Sequence, residues 1–271
     1  MKKDLNENSK KNLTALITGA SSGIGLDFAH LFAKDGYNLI LVARSGDKLD
    51  HLAKELIEKY KIFCKPISCD LAKPGAAQEL FRKTQSLDVH IDFLINNAGF
   101  GAMGMFYEID TQIQTNIIQV NIAALTELTH IYLKPMLDKK FGRILNVAST
   151  AAFQPGPLMS VYYASKAYVL SFSAALENEL KGTGVNVTTL CPGPTQSGFQ
   201  SVAKIDAHSK IFNSPLVSDS ASVARAGYKA LFDAQSIIIP GVVNKIGVCS
   251  AKFVPRQFAT RVTRWLQEKR S

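Results

Sequence analysis

Several features that would assign this chain to common protein classes are missing from its sequence. No stretch reaches the roughly 18 consecutive apolar residues that a membrane-spanning helix requires, and the amino-terminal "MKKDLNENSKKN" lacks the apolar segment of a signal peptide. The four cysteines form no C-x-x-C pair and have no histidines at ligand spacing beside them (Cys64, Cys69, Cys191 and Cys249). We therefore expect a cytoplasmic protein with reduced thiols, no disulfides and no metal.

Acidic residues are fewer than basic ones, but most of the excess positive charge lies at the two ends of the chain. The formal net charge is +9. Residues 1–12 carry four basic and two acidic side chains, and residues 245–271 carry seven basic and one acidic, so the chain between them is nearly neutral. A nucleic-acid-binding domain usually carries its positive charge on the folded surface beside a recognition motif, and no such motif is found here. The sequence thus argues against nucleic acid as a partner.

Short apolar runs alternate with segments of helical periodicity along most of the 271 residues. The seven runs suit strands that are apolar on both faces, and each interval fits one crossover helix, so the pattern predicts a doubly wound α/β domain with a parallel sheet. We place a single domain at residues 13–244, between a polar extension (1–12) and a basic tail (245–271), and we expect the aperiodic residues 194–218 to form a lid. The predicted strands are 13–18, 38–43, 65–70, 92–97, 143–149, 185–191 and 236–240.

A glycine-rich turn follows the first predicted strand. In "TGASSGIG", Gly19, Gly23 and Gly25 have the spacing G-x-x-x-G-x-G just before a predicted helix. Glycine permits a tight turn and lets a pyrophosphate approach backbone N–H groups at the positive end of that helix. The pattern favours a dinucleotide site, although an ordinary strand-to-helix turn can have the same composition.

The end of the second predicted strand indicates which dinucleotide would bind. An acidic residue there bonds the ribose 2′-hydroxyl of NAD, whereas a basic residue suits the 2′-phosphate of NADP. Ala43 has no carboxylate, while Arg44 and Ser45 offer a guanidinium and a hydroxyl, so NADP(H) is favoured over NAD(H). The alternative for Arg44 is a solvated charge that leads the helix. Asp70, at the end of the third strand, either accepts a hydrogen bond from the adenine amino group or caps a helix.

A phenol and an ammonium share one face of a predicted helix in "VYYASKAY". Tyr162 and Lys166 are four residues apart, whereas Tyr163 has Ala167 at that spacing and is expected to pack or to line a pocket. Reduction of a ketone needs a proton donor, and a neighbouring cation lowers the pKa of a phenol from its usual value of about 10. Ser149 ends a strand, where its hydroxyl either donates to a developing oxyanion or simply forms a turn.

Together these motifs resemble the short-chain dehydrogenase/reductase family. The matching elements are "TGASSGIG", "NNAG", "QVNIA" around Asn121, Ser149, Tyr162-x-x-x-Lys166 and "PGPT", in that order, from residue 13 to about residue 240. The resemblance implies a seven-stranded Rossmann sheet of order 3-2-1-4-5-6-7, a homo-dimer or homo-tetramer, and a catalytic tetrad in which Asn121 holds a water that relays protons to the lysine. The implied tetrad is Asn121, Ser149, Tyr162 and Lys166.

The resemblance and the turn chemistry together predict the residues that bind NADP(H). Lys166 is expected to reach the ribose hydroxyls, and Thr195 of "PGPT" to donate to the nicotinamide carboxamide. The predicted cofactor-binding residues are Gly19, Ser21, Ser22, Gly23, Ile24, Gly25, Arg44, Ser45, Asp70, Leu71, Asn97, Ala98, Gly99, Tyr162, Lys166, Pro192, Gly193 and Thr195.

The loops expected to border the substrate contain many apolar residues and few charges. They are "GFGAMGMF" (99–106), "TAAFQPGPLM" (150–159) and the lid with Phe199, Ile205, Ile211 and Phe212. These loops favour a lipophilic ketone or alcohol as substrate, unless their apolar residues serve only to pack the lid onto the domain. Within the family, the sequence resembles most the branch that contains 3-ketoacyl and hydroxysteroid reductases. We therefore expect an NADP(H)-dependent oxidoreductase, with an NADP(H)-binding sensor that lacks turnover as the alternative.

The basic tail contains a predicted amphipathic helix in "PRQFATRVTRWLQEKR" (255–270). Its apolar residues lie on one stripe, and its cationic residues occupy the remainder. Such a helix either packs against its own domain or a second subunit, or it settles at an anionic membrane surface. The stripe consists of Phe258, Val262, Trp265 and Leu266, and the cations are Arg256, Arg261, Arg264, Lys269 and Arg270.

Overall fold

The computed structural model describes residues 12–203, 217–251 and 253–268, and its centre is a seven-stranded parallel sheet. The strand order is β3-β2-β1-β4-β5-β6-β9, which confirms the predicted order; the seventh strand is β9 because two short strands precede it in the chain. These two strands pair with each other in a separate sheet. The strands are β1 (Thr14–Thr18), β2 (Asn38–Ala43), β3 (Cys64–Ser68), β4 (Ile91–Asn96), β5 (Gly142–Val147), β6 (Val185–Leu190), β7 (Thr195–Gln196), β8 (Ser218–Asp219) and β9 (Ile237–Ile238).

Helices flank the sheet on both faces. A π-helical segment, Gln119–Ala124, joins α4 to α5, and a 3₁₀ turn, Thr150–Phe153, follows β5. The helices are α1 (Gly23–Lys34), α2 (Gly46–Tyr60), α3 (Ala76–Gln85), α4 (Thr111–Ile118), α5 (Leu125–Lys139), α6 (Ser160–Glu179), α7 (Phe199–Val202), α8 (Ser220–Phe232), α9 (Val242–Ala251) and α10 (Arg256–Gln267).

The central strands are apolar on both faces because each face supports its own core. Alternate residues of β2 point to opposite sides: Leu39 and Leu41 belong to the core with α1, α2 and α8, whereas Ile40 and Val42 belong to the core with α3 and α5. β1 is buried along its whole length. This double coverage explains why the strands appear in the sequence as continuous apolar runs.

A buried polar chain fixes the register of β4 and β5. Asn96 and Asn146 are direct neighbours in the two strands. The Asn96 side chain donates to Asn146 Oδ1 (2.9 Å) and to Thr129 Oγ1 (3.0 Å), and Asn146 donates to Ser173 Oγ (2.9 Å). A one-residue slip would separate these buried amides from their partners, which is costly in an apolar interior. The loops that leave β4 and β5 are therefore held at defined positions.

Neither a membrane span nor a metal cluster is found within the described ranges. Searching those residues reveals no helix both long and apolar enough to cross a bilayer. The same residues include no group of three or more His, Cys, Asp or Glu side chains arranged to hold a metal ion.

Candidate active site

A cleft of about 580 Å³ runs along the carboxyl edge of the sheet, where an open α/β fold binds its ligands. It brings together the predicted site residues with three exceptions: Gly25, Ser45 and Asn121 are not in its lining. The predicted residues that line it are Gly19, Ser21, Ser22, Gly23, Ile24, Arg44, Asp70, Leu71, Asn97, Ala98, Gly99, Ser149, Tyr162, Lys166, Pro192, Gly193 and Thr195.

The glycine-rich turn has space only for backbone. Gly19 and Gly23 adopt φ of 68° and 55°, a left-handed conformation that favours glycine. A Cβ on Gly25 would lie 2.3 Å from the Gly19 carbonyl oxygen and 2.5 Å from Asn97 Nδ2, so the first turn of α1 is pressed against the loop. The N–H groups at this helix start form a cradle suited to a pyrophosphate. Gly25 does not line the cleft, but it contributes because it allows the helix to approach the loop so closely.

Thr18 braces this turn, and sequence reasoning missed it. Its hydroxyl accepts hydrogen bonds from the backbone N–H groups of Asn97 and Ala98, both at 3.0 Å, and donates to the Ile95 carbonyl at 3.2 Å. The Asn97 amide in turn donates to the Thr18 carbonyl at 2.9 Å. One side chain thereby ties the glycine turn to "NNAG". The threonine preceding the glycine motif was the available signal, but its partners lie about 80 residues away in the chain.

Arg44 and Asp70 lie at the predicted nucleotide end of the cleft. Arg44 is exposed and also borders an adjoining cavity of about 260 Å³, whose lining includes Lys73. Ser45 is exposed at the start of α2 and its side chain makes no capping bond. Asp70 Oδ1 accepts from Ala72 N at 3.2 Å, so it closes a local turn, while α3 begins later and is not capped by it.

Ser149, Tyr162 and Lys166 converge where β5 ends and α6 begins. The Ser149 hydroxyl donates to the Pro192 carbonyl at 3.3 Å and is close enough to the Tyr162 phenol to influence its pKa. Ala151 N donates to Ser149 Oγ at 3.1 Å, which holds the serine in place. Lys166 Nζ donates to the Val147 carbonyl at 2.8 Å and lies 5.8 Å from the centre of the Tyr162 ring. Two hydroxyls and a buried ammonium are thus gathered in one corner of the cleft.

The pKa values in this corner depend mainly on burial. Burial raises the pKa of Tyr162, and the neighbouring Ser149 hydroxyl lowers it in part. Burial lowers the pKa of Lys166 to about 8, against a smaller opposing effect of Cys191. We expected the ammonium to bring the phenol's pKa down, but Lys166 is buried and Tyr162 half-buried, and desolvation is the largest influence on the pKa of Tyr162.

Asn121 lies behind the cleft, held by three hydrogen bonds. Its Oδ1 accepts from Phe100 N (3.1 Å), and its Nδ2 donates to Phe100 O (3.0 Å) and Ser165 Oγ (2.9 Å). A Cβ on Gly99 would lie 3.1 Å from Asn121 Oδ1 and 3.2 Å from Lys166 Nζ, so both groups approach the same glycine. Asn121 therefore fixes the loop that passes beside Lys166.

An apolar chamber adjoins Tyr162 within the cleft. Buried Ala151, Met159, Tyr163 and Ala203 form a cluster against which Met103 and Phe199 pack. The Phe199 ring centre lies 5.1 Å from that of Tyr162, so this part of the predicted lid reaches the site. The other predicted lid residues, Ile205, Ile211 and Phe212, lie outside the described residues.

The carboxyl-terminal helix α10 closes this chamber, which sequence reasoning did not foresee. Thr263, Leu266 and Gln267 line the cleft, and Gln267 Nε2 donates to Tyr163 Oη at 2.6 Å. Tyr163, which was expected either to pack in the core or to line a pocket, lines the cleft. The signal in the sequence was the polar pair at positions 263 and 267, one helical turn apart, which the apolar stripe obscured. Lys269 and Arg270 lie outside the described residues.

Comparison with known proteins identifies the family. A family model described as "short chain dehydrogenase" matches residues 13–207. The chain belongs to the short-chain dehydrogenase family. The resemblance inferred from the motifs is confirmed, and the family binds a nicotinamide cofactor.

Two curated relatives and one solved structure illustrate the similarity. A "Very-long-chain 3-oxoacyl-CoA reductase" of Phaeosphaeria nodorum is 41% identical over 191 residues, which are 68% of this chain and 55% of that protein. The "Hydroxysteroid dehydrogenase-like protein 1" of Gallus gallus is 33% identical over 200 residues, 73% of this chain and 60% of that protein. The chain thus matches little more than half the length of these curated relatives. A short-chain dehydrogenase from Sphingobium yanoikuyae, solved with NADPH, is 30% identical with a TM-score of 0.78, covering 89% of this chain and 94% of that one.

Proposed function

We propose that this protein is an NADP(H)-dependent oxidoreductase that interconverts a ketone and a secondary alcohol on a lipophilic substrate. The observation that carries the proposal is the continuity of one cleft, which joins the glycine turn and Arg44 to Ser149, Tyr162 and Lys166 and then to the apolar chamber. The names of the relatives support a carbonyl of the 3-oxoacyl thioester class. None of the relatives named above is called a sensor, and the tyrosine and lysine that a sensor could lose are both present.

The residues present fit a nicotinamide nucleotide. The side-chain-free cradle around Gly19 and Gly25 suits the pyrophosphate, and Lys166 suits the ribose hydroxyls. Thr195, whose hydroxyl donates to the Gly193 carbonyl at 2.9 Å, would turn to the carboxamide. When bound, the nicotinamide supplies or accepts a hydride.

The chain itself would handle the proton. Ser149 donates a hydrogen bond to the substrate oxygen and stabilises the negative charge that develops there. Tyr162, which lies beside Ser149, delivers a proton to the same oxygen. Lys166 is mostly protonated at neutral pH, and because its pKa is only about 8 its ammonium gives up a proton readily, so it can return a proton to the phenolate. The surrounding apolar side chains keep bulk water from competing for this proton.

The preference for NADP(H) is supported by the charges at the nucleotide end. Ala43 offers no carboxylate to a ribose 2′-hydroxyl, and Arg44 lies at the rim beside a cavity that Lys73 also lines. A 2′-phosphate would gain charge-assisted hydrogen bonds from such cations. The test is kcat/KM for the same ketone with NADPH and with NADH. A higher value with NADH would contradict the proposal.

The substrate class is tested by varying the length of the acyl chain. We expect the rate of NADPH-dependent reduction of 3-oxoacyl thioesters to rise with acyl-chain length, because more methylenes enter the apolar chamber. The decrease in absorbance of the reduced nicotinamide measures this rate. Tyr162→Phe serves as the inactive control. Activity confined to short, charged ketones would argue against a lipophilic substrate, and tight NADPH binding without turnover of any carbonyl would favour the sensor.

Location and assembly are part of the proposal. We propose a cytoplasmic homo-dimer or homo-tetramer, with peripheral membrane contact through the tail. Self-association is supported by Ile118 on α4 and Tyr168 on α6, which are exposed apolar side chains; Tyr168 stacks on Phe172. Light scattering after size-exclusion chromatography should give at least twice the mass of the chain, and Ile118→Glu should reduce it. A monomer at micromolar concentration would refute the assembly.

A further inference from the structure

The exposed large apolar side chains are concentrated near the carboxyl terminus. Half of those in the described residues lie on α9, on α10 or in the turn between them. We call this surface the C-terminal face. It consists of Val242, Val243, Ile246, Phe253, Phe258, Val262 and Trp265.

Helix α10 turns three of its four stripe residues outward, namely Phe258, Val262 and Trp265, while Leu266 lines the cleft. Thr263 and Gln267 are only 4% and 3% exposed and point to the cleft, whereas Phe258 and Val262 on the stripe are 58% and 41% exposed. A helix that serves only to cover its own domain buries its apolar side and exposes its polar side. Packing within the domain therefore does not account for the three exposed residues of the stripe.

The charge of the C-terminal face is positive. Lys245, Arg256, Arg261 and Arg264 are all exposed there. Glu268 is the one acidic residue between positions 242 and 268, and it is paired with Arg264 at 2.8 Å. Exposed aromatic and aliphatic groups flanked by cations are the composition of helices that lie in the interface of an anionic membrane.

We propose that the C-terminal face docks on an anionic lipid surface. Its apolar side chains would enter the boundary of the acyl chains, and its guanidinium groups would lie at the headgroup phosphates. A second copy of the chain fits this face less well, because a two-fold contact would set one cationic face against another. Since the inner side of α10 lines the cleft, a lipophilic substrate that leaves the lipid surface would pass only one helix to reach the cleft. This delivery step, unlike the docking, rests on the proposed function.

The single tryptophan allows docking to be measured without a label. Trp265 is the chain's one tryptophan and is 59% exposed on this face. We expect its emission to shift to shorter wavelength, and the full chain to co-sediment, with vesicles of phosphatidylcholine and phosphatidylglycerol but not with phosphatidylcholine alone. High salt should reverse both effects because it screens the attraction. The measurement needs neither nucleotide nor ketone, so its outcome is independent of the enzymatic proposal.

Matched variants test the residues. Arg256→Gln with Arg261→Gln should weaken partitioning into the anionic vesicles about 30-fold, and Phe258→Ser should weaken it further. The controls are Lys48→Gln with Lys54→Gln on α2 and Phe63→Ser before β3, which remove the same charge and a similar exposed ring elsewhere and should leave partitioning unchanged.

Three outcomes would overturn the proposal. They are an absence of vesicle binding, equal binding to neutral and anionic vesicles, and equal losses in test and control variants. A shift of tryptophan emission with protein concentration alone, together with a doubled mass that Phe258→Ser abolishes, would assign this face to a second copy of the chain. Circular dichroism establishes that each variant is folded before it is compared.

Discussion

Replacing Lys166 by methionine should make the protein more stable while removing its activity. Burial lowers the pKa of Lys166 from 10.5 to about 8, and this shift corresponds to a cost of about 3 kcal/mol for keeping the ammonium charged in the folded state. Methionine has similar length and no charge. It would also lose the hydrogen bond to the Val147 carbonyl (2.8 Å), worth about 1 kcal/mol. The net expectation is a gain of about 2 kcal/mol at neutral pH.

The gain should depend on pH with a defined sign. Below about pH 8 the lysine is protonated in both the folded and the unfolded state, so its full burial cost is present. Between about 8 and 10.5 the unfolded state binds more protons than the folded one, and the free energy of unfolding of the unmodified protein therefore rises with pH. The advantage of Lys166→Met should shrink over this window.

The assay is urea or thermal unfolding of nucleotide-free protein at several pH values. A gain of about 2 kcal/mol should raise the melting temperature by roughly 5 °C for a chain of this size. Lys54→Met, at an exposed position of α2, is the control and should show little difference at any pH. If Lys166→Met is no more stable than the unmodified protein at neutral pH, or if its advantage does not change with pH, the ammonium is not buried as described.

Three further substitutions test the site. Tyr162→Phe removes the transferable proton with little change in volume, so kcat should fall 100-fold or more while NADPH binding, followed by fluorescence, is retained; activity near that of the unmodified protein would assign the proton to another group. Arg44→Ala should raise the KM for NADPH about tenfold and leave that for NADH unchanged, and an equal effect on both would mean that Arg44 does not contact the 2′-phosphate. Ala43→Asp should reverse the cofactor preference in kcat/KM, because its carboxylate repels the phosphate and can accept from the 2′-hydroxyl; unchanged selectivity would contradict this geometry.

The sheet could be predicted because its strands have one dominant requirement. Strands covered on both faces must be apolar throughout, and this property is local in sequence. The ends of the strands were less accurate: the third was predicted at 65–70 but pairs over Cys64–Ser68, and the last was predicted at 236–240 but pairs only at Ile237–Ile238. Ile239 is still apolar after the last ladder has ended, so composition does not mark that boundary, and Cys69 N still donates to the Ala43 carbonyl (2.9 Å) just after the third strand.

The site was predictable where spacing encodes geometry and was missed where distant segments meet. Tyr162 and Lys166 share a helix face, and the glycines share one turn, so their positions follow from local structure. Thr18 and Gln267 act on partners about 80 and 104 residues away, and the local sequence, although it marks both residues as polar, does not identify those partners. The pKa of Tyr162 also depends on enclosure by the whole fold, which the Tyr-x-x-x-Lys spacing does not reveal.

The π-helical segment Gln119–Ala124 holds Asn121 at a position that a regular helix would not give it. Such a segment accommodates one residue more than an α-helix with the same end points. Deleting one residue there would therefore produce an uninterrupted α-helix whose two ends keep their places, so the core residues Leu128 and Tyr132 would stay packed against the sheet. The change would fall inside the segment, where Asn121 would lose the geometry of its bonds to Phe100 in the loop beside Lys166. A chain shortened by one residue here would thus keep its fold and lose the brace of its site.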